Sequence, residues 1–133
     1  MEISTYLTFD GQCAEAFKFY EKTLGGRIVT MQTFGETPAR DHVSADWHGK
    51  VIHTRLEVEG YAIMGSDAPP PQFSAAQGTH VSVSVPQREA QRIFDALAQG
   101  GRVTMPYGET FWSPGFGMVV DQFGTPWMIN AER

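Results

Sequence analysis

Gly25-Gly26-Arg27-Ile28-Val29-Thr30-Met31 returns 75 residues later as Gly100-Gly101-Arg102-Val103-Thr104-Met105. Self-similarity at a fixed spacing marks a repeated structural unit, and finding it decides the fold before any single element is assigned. Carried upstream, the same offset lays Phe19 on Phe94 and Thr5 on His80. A strand, a helix and a Gly-Gly stop therefore coincide in both halves.

The helices follow from periodicity. Cys13, Phe17, Tyr20 and Leu24 fall on one face of a first helix, and Ala90, Ile93, Phe94 and Leu97 on one face of a second. Each apolar stripe needs a sheet to bury it. Gly25 and Gly100 stand where a left-handed residue closes a helix without a Cβ penalty. Period-two runs predict strands from Ile3 to Phe9, Arg27 to Phe34, Val51 to Val58 and Tyr61 to Ser66. Four more are predicted from Thr79 to Val85, Arg102 to Tyr107, Phe116 to Val120 and Trp127 to Ala131. The order is βαβββ twice, an α+β fold with the helices expected on the convex side of curved sheets. Between the halves, Ala68-Pro69-Pro70-Pro71-Gln72 predicts an extended linker, because proline lacks an N–H and restrains its predecessor.

With 133 residues, 41% of them hydrophobic and 19% charged, the chain suits one globular domain. A net charge of −5 and scattered lysines and arginines give no basic footprint, so neither nucleic acid nor an anionic membrane is expected as a partner. No stretch approaches a membrane span or a signal peptide, and the expected location is the cytoplasm. The single cysteine, Cys13, has no internal disulfide partner, in keeping with a reducing compartment. It reads as a small residue packing the start of the first helix.

Candidate functional side chains come from strand alternation. In the third strand Ile52, Leu56 and Val58 alternate with His53, Arg55 and Glu57. A two-residue turn at Glu59-Gly60 sets Tyr61 opposite Val58, which brings His53, Arg55, Glu57, Met64 and Ser66 onto one concave wall. In the fifth strand His80 alternates with Val81, Val83 and Val85 and so points toward the same kind of surface. Late in the chain Trp112 and Phe116 stand among glycines as possible walls of an apolar pocket, and Asp121 with Gly124 suits a tight turn. The polar loop from Glu36 to Lys50 holds Asp41, His42, Asp46 and His48, yet their spacing matches no metal signature. Nucleotide-binding glycine fingerprints, a P-loop lysine and a nucleophile elbow are all missing.

Five stretches together resemble the PhnB-like branch of the vicinal-oxygen-chelate (glyoxalase, bleomycin-resistance and dioxygenase) superfamily. They are Tyr6 to Gly11, Phe19 to Gly26, Ser66-Asp67, Thr110 to Trp112, and Asp121 to Gly124 followed by Trp127. The resemblance spans nearly the whole chain. It implies a single glyoxalase-like domain of two βαβββ modules, about 1–67 and 79–133, joined by the proline-rich linker 68–78, and a homodimer with cavities between facing sheets. Members often carry a label resembling a ubiquinone-pathway methyltransferase, but nothing here looks like an S-adenosylmethionine site, and that activity is rejected. Metal-using relatives take one ligand from the first and one from the last strand of each module. In this chain those positions look like Thr5, Met64, His80 and Met128, with Met128 also a candidate cavity residue. Thr and two Met are poor ligands for a hard cation, so no cofactor and no glyoxalase I activity are expected. The expected function is to bind a small organic molecule, with catalysis left open. The alternative is a metal-dependent lyase, isomerase or dioxygenase-like enzyme whose divalent ion sits on a displaced set of His53, His80 and Asp67.

Overall fold

A computed structural model describes residues 1–133. The chain divides into two compact units, Met1–Ala75 and Ala76–Arg133. In the first, β1 (Thr5–Phe9), α1 (Cys13–Leu24), β2 (Arg27–Thr33), β3 (Val51–Val58) and β4 (Tyr61–Asp67) form a four-stranded sheet of order β1-β4-β3-β2. In the second, β5 (Val81–Pro86), α2 (Gln87–Ala98), β6 (Arg102–Gly108), β7 (Phe116–Val120) and β8 (Pro126–Glu132) repeat that order as β5-β8-β7-β6. Each sheet has one parallel pair, β1 with β4 and β5 with β8, and is otherwise antiparallel. The fold is α+β, two βαβββ units, as the repeat implies. No helix is long and apolar enough to cross a membrane.

In both units one helix covers one face of its sheet. On α1 the buried side chains are Cys13, Ala16, Phe17, Tyr20 and Thr23, so Thr23 takes the place expected for Leu24, which is half-buried. On α2 the buried set is Ala90, Ile93, Phe94 and Leu97, as the periodicity predicts. These buried stripes match at an offset of 77 (Phe17 with Phe94, Tyr20 with Leu97), not at the 75 of the Gly-Gly pairs. The two helices end differently, which accounts for the change. Gly25 closes α1 in the left-handed region at φ 77°. Gly100 also has a positive φ, 72°, but it lies beyond the helix. Gln99 leaves α2 extended and Gly101 N–H donates to Ala98 C=O at 3.0 Å, the arrangement of a type II turn, whose third residue needs a positive φ.

The repeated strand carries a repeated irregularity. Pairing of β2 with β3 shifts between Ile28 and Thr30, and pairing of β6 with β7 shifts between Val103 and Met105, so Val29 and Thr104 are bulged at equivalent positions. In the first unit the fully buried Thr54 hydroxyl donates to Thr30 C=O at 2.8 Å, satisfying a carbonyl beside the bulge.

The hairpin register expected for β3 and β4 is the one observed: Val58 pairs with Tyr61, Glu57 with Ala62 and Arg55 with Met64. Glu59 is the single non-glycine residue at positive φ, 50°, followed by Gly60 at 87°. Such a pair of left-handed residues makes a type I′ turn, which favours Asn-Gly. Glu59→Asn is therefore expected to raise the unfolding free energy by about 0.5–1 kcal/mol, since Asn tolerates this conformation better than Glu. Urea unfolding checks it, with the gain appearing in the midpoint and the slope unchanged.

Some boundaries differ from the sequence reading. β1 begins at Thr5 instead of Ile3, and β5 at Val81 instead of Thr79. Phe34 leaves β2 for a short 3-10 turn, buried with its ring edge-on to Trp47. The loop that follows contains two further 3-10 turns, Pro38–His42 and Ala45–Trp47. The proline run is not simply extended: Gln72 N–H donates to Pro69 C=O at 2.8 Å and closes a tight turn.

Candidate functional site

Each unit leaves the face of its sheet opposite the helix uncovered by any helix of its own, and the strand pairings fix what stands there. In the first unit Tyr6, Met64, Arg55 and Thr30 form one cross-strand row, and Gln32 pairs with His53 in the next. Thr8 and Ser66 pair beside them. Tyr6 and His53 stack, with ring centroids 5.8 Å apart and planes at 23°, and the Tyr6 hydroxyl lies 3.3 Å from His53 Nδ1.

Arg55 is the most heavily bonded side chain of this face. Its Nε–H donates to Glu57 Oε2 at 2.9 Å. Its Nη1 and Nη2 groups donate to Glu2 Oε1 and Oε2 at 3.2 and 3.1 Å, and Nη1 also lies 3.7 Å from Met64 Sδ. The hydrogen bonds from Glu2 and then Glu57 hold the guanidinium above its ordinary pKa range, and Arg55 in return holds the Glu2 carboxyl below the usual carboxylate value. Sequence reasoning named Arg55 and Glu57 but missed Tyr6 and Glu2.

In the second unit Ser82, Met128, Met118 and Met105 form a row, with Ser84, Asn130, Phe116 and Gly108 beside it. The methionines, Phe116 and Asn130 are half-buried. Trp112 meets Phe116 edge-on at 5.3 Å and Phe111 at 4.8 Å. Asn130 Nδ2 makes one long hydrogen bond, 3.5 Å, to Ser84 Oγ, while its Oδ1 is buried without a hydrogen-bond partner. Asn130 was not among the expected residues. Its signal was present in the alternation of Trp127, Ile129 and Ala131 with Met128 and Asn130.

The positions compared with metal ligands need revision. Thr5 pairs with Ile63, which pairs with the fully buried Leu56, so Thr5 belongs to the helix face and Tyr6 stands on the open one. His80 precedes β5 and is exposed, because the residues from Phe73 to His80 carry no strand pairing. Asp67 is buried, and both its oxygens are taken: Oδ1 accepts from Cys13 N–H at 2.9 Å and Oδ2 from Val51 N–H at 3.0 Å. It caps α1 and ties the helix start to β3, a structural task. No group of three or more His, Cys, Asp or Glu side chains is arranged to hold a metal ion. Thr5, Met64 and Met128 carry neither an imidazole nor a carboxylate, so these positions make a poor donor set for a hard divalent cation.

Cys13 is fully buried, and desolvation followed by the Asp67 charge pushes its thiol pKa well up. A thiol so placed stays protonated and is not a nucleophile. A shallow cleft of about 330 Å³ lies elsewhere in the first unit, lined by loop residues including His42, Trp47, Pro69 and Gln72. It contains none of the candidate side chains, and the open sheet faces offer the better-organised chemistry.

Residues 1–130 match the family described as 3-demethylubiquinone-9 3-methyltransferase. The chain belongs to that family. Protein YjdN of Escherichia coli strain K12 is 39% identical over 142 residues, covering all of this chain and 97% of its own length. Among solved structures, protein PA1353 of Pseudomonas aeruginosa superposes with a TM-score of 0.91 at 44% identity, covering 99% of this chain and 98% of that one. The PhnB protein of Bacillus cereus superposes with a TM-score of 0.84 at 27% identity, covering 99% of this chain and all of that one. Family membership thus rests on the whole length of the chain and not on an isolated motif.

Proposed function

We propose that this protein is a PhnB-like member of the vicinal-oxygen-chelate superfamily that binds a small organic molecule against its open sheet faces, without the glyoxalase metal site. The observation that carries this reading is Asn130. Its amide oxygen has no protein donor, and it sits among Phe116, Met118 and Met128. An apolar floor with one unmet polar group is the composition of a ligand pocket. Methyl transfer is not part of this proposal: the chain has no glycine fingerprint for a nucleotide-like cofactor, and each sheet is mainly antiparallel.

The test is a ¹H–¹⁵N and methyl NMR screen with matched pairs of small aromatic acids and amides. Binders are expected to shift the Asn130 side-chain amide or the Met118 and Met128 methyl groups. Asn130→Leu is expected to weaken compounds that shift the Asn130 amide about tenfold, the worth of one hydrogen bond, while leaving stability equal or raised by about 1 kcal/mol because an orphaned acceptor is gone. Binding that moves no resonance of either open face would sink the reading.

We further propose that the protein works as a homodimer. Methionines and aromatics on a helix-free face are costly to leave in water, at about 25 cal/mol per Å². Sedimentation at micromolar concentration is expected to give twice the 14.7 kDa chain mass, and a monomer would overturn the proposal.

A further inference from the structure

The open face of the first unit holds a guanidinium whose two edges are used differently. The Nε–H edge is bonded to Glu57, two residues along the same strand, at 2.9 Å, and Met64 Sδ lies against Nη1 at 3.7 Å. Both partners are strand residues of the same open face as Arg55. The outer edge, formed by Nη1 and Nη2, meets Glu2 end-on through two hydrogen bonds of 3.2 and 3.1 Å. Glu2 belongs to no strand or helix: it lies ahead of β1, its side chain is 58% exposed, and the neighbouring Ile3 is 90% exposed. An exposed ion pair of this kind contributes little, because ordering the chain offsets the attraction. Glu2 is thus a carboxylate from outside the sheet seated on a fork that the sheet itself presents.

We propose that the outer edge of Arg55 is a binding point for the carboxylate of an organic ligand, and that Glu2 fills it in this structure and is displaced on binding. The forked donor geometry matches a planar carboxylate bidentately. The apolar companion is on the same row: Tyr6 and Met64 pair across adjacent strands, and Met64 pairs with Arg55, so Tyr6 is two strand spacings, about 10 Å, from Arg55. The stacked Tyr6 and His53 rings give an aromatic surface beside it. The ligand class is an aromatic or apolar monocarboxylate short enough to span that distance. A dianion is disfavoured, because Glu57 remains bonded to the inner edge and repels a second negative charge.

This assignment names the ligand class for the small-molecule reading and rests on it. The probes are phenylacetate and its uncharged counterpart phenylacetamide, followed by NMR of the Arg55 Nε–H, the Met64 methyl and the amides of residues 2–4. Phenylacetate is expected to shift all three sets, moving the 2–4 amides toward unstructured values, while phenylacetamide leaves the Arg55 signal in place. Glu2→Gln removes the competing carboxylate and is expected to tighten phenylacetate about two- to fivefold, the effect of an exposed ion pair. Arg55→Gln is expected to weaken it about 10- to 100-fold, the loss of charge-assisted hydrogen bonds. Because Glu2 lies outside every strand and helix, its variant tests the idea even if Arg55→Gln folds poorly. Equal binding of acid and amide at Met64 would overturn the carboxylate assignment and leave the small-molecule reading standing. Weaker or unchanged binding by Glu2→Gln would overturn the displacement. Silence of this face toward both probes, with neutral compounds still bound at Asn130, would remove the Arg55 site alone.

Discussion

Asp121→Ala is expected to cost about 3–5 kcal/mol of unfolding free energy, because one buried carboxylate holds three donors. Asp121 is 3% exposed. Its Oδ1 accepts from Phe123 N–H at 2.9 Å and Thr125 N–H at 3.0 Å, and Oδ2 accepts from the indole N–H of the fully buried Trp127 at 2.8 Å. Gly124, at φ 92°, completes the turn by donating to Asp121 C=O at 3.0 Å. The carboxylate therefore holds both the turn between β7 and β8 and the ring that anchors β8. Truncation removes the acceptor that all three share, two of them through buried bonds, and losing the acceptor of a buried donor costs more than the hydrogen bond was worth on balance. Trp127→Phe offers the contrast: it removes that donor and keeps an aromatic ring, so its loss is expected to be smaller. Urea unfolding followed by circular dichroism checks both. A loss below about 1 kcal/mol for Asp121→Ala would mean that water enters the turn and replaces the carboxylate.

The turn at Asp121 and the hairpin at Glu59-Gly60 were legible in the sequence because both depend on local residue chemistry, a short polar side chain in one case and a glycine at positive φ in the other. The βαβββ order was legible because the Gly-Gly repeat falls where each helix must stop and each second strand begin. Details that depend on packing were not. The shift from an offset of 75 to 77 comes from two different helix ends, and the bulges at Val29 and Thr104 come from how neighbouring strands pair. The first was present in the two apolar stripes, Phe17 with Phe94 and Tyr20 with Leu97, but the more conspicuous Gly-Gly match masked it, and the bulges leave no mark on the pattern.

Of the candidate site, Arg55, Glu57 and Met64 followed from alternation once the hairpin register was set, and Phe116 and Met128 stand on the open face of the second unit. His80 was read through the alternation of β5, but strand pairing starts one residue later and leaves it exposed. Asp67 looked like a free carboxylate, since nothing in a sequence announces that two backbone N–H groups from distant segments will converge on it. Glu2 was invisible for a related reason: it precedes the first strand, so no periodicity places it on a face. What alternation reports is the side of a sheet, and it is silent about partners that arrive from loops and chain ends.

Gly26→Ala and Gly101→Ala are expected to lose about 3 kcal/mol each, within the usual range for forcing a methyl group into packed surroundings. The glycine pairs look alike in sequence, yet their two members serve different physical needs. The first, Gly25 or Gly100, needs a positive φ, 77° and 72° respectively. The second needs space. A Cβ on Gly26 would lie 2.5 Å from Glu57 C=O and also strike the Val58 side chain, and one on Gly101 would strike Val120 C=O and lie 3.0 Å from Asp121 Cα. These are equivalent places, the ends of β3 and β7 where the strand after each helix presses on its neighbour. Val58 is a side chain and can move aside, but Glu57 and Val120 contribute backbone oxygens already fixed in their sheets. Gly25→Ala is the control, because its Cβ would meet nothing within 4 Å and only the left-handed conformation is penalised, by about 1–2 kcal/mol. Denaturant unfolding of the three variants separates the causes. If Gly26→Ala and Gly101→Ala cost no more than Gly25→Ala, the close approach of strand to strand is not what the second glycine provides, and the repeat would have to be explained by backbone conformation alone.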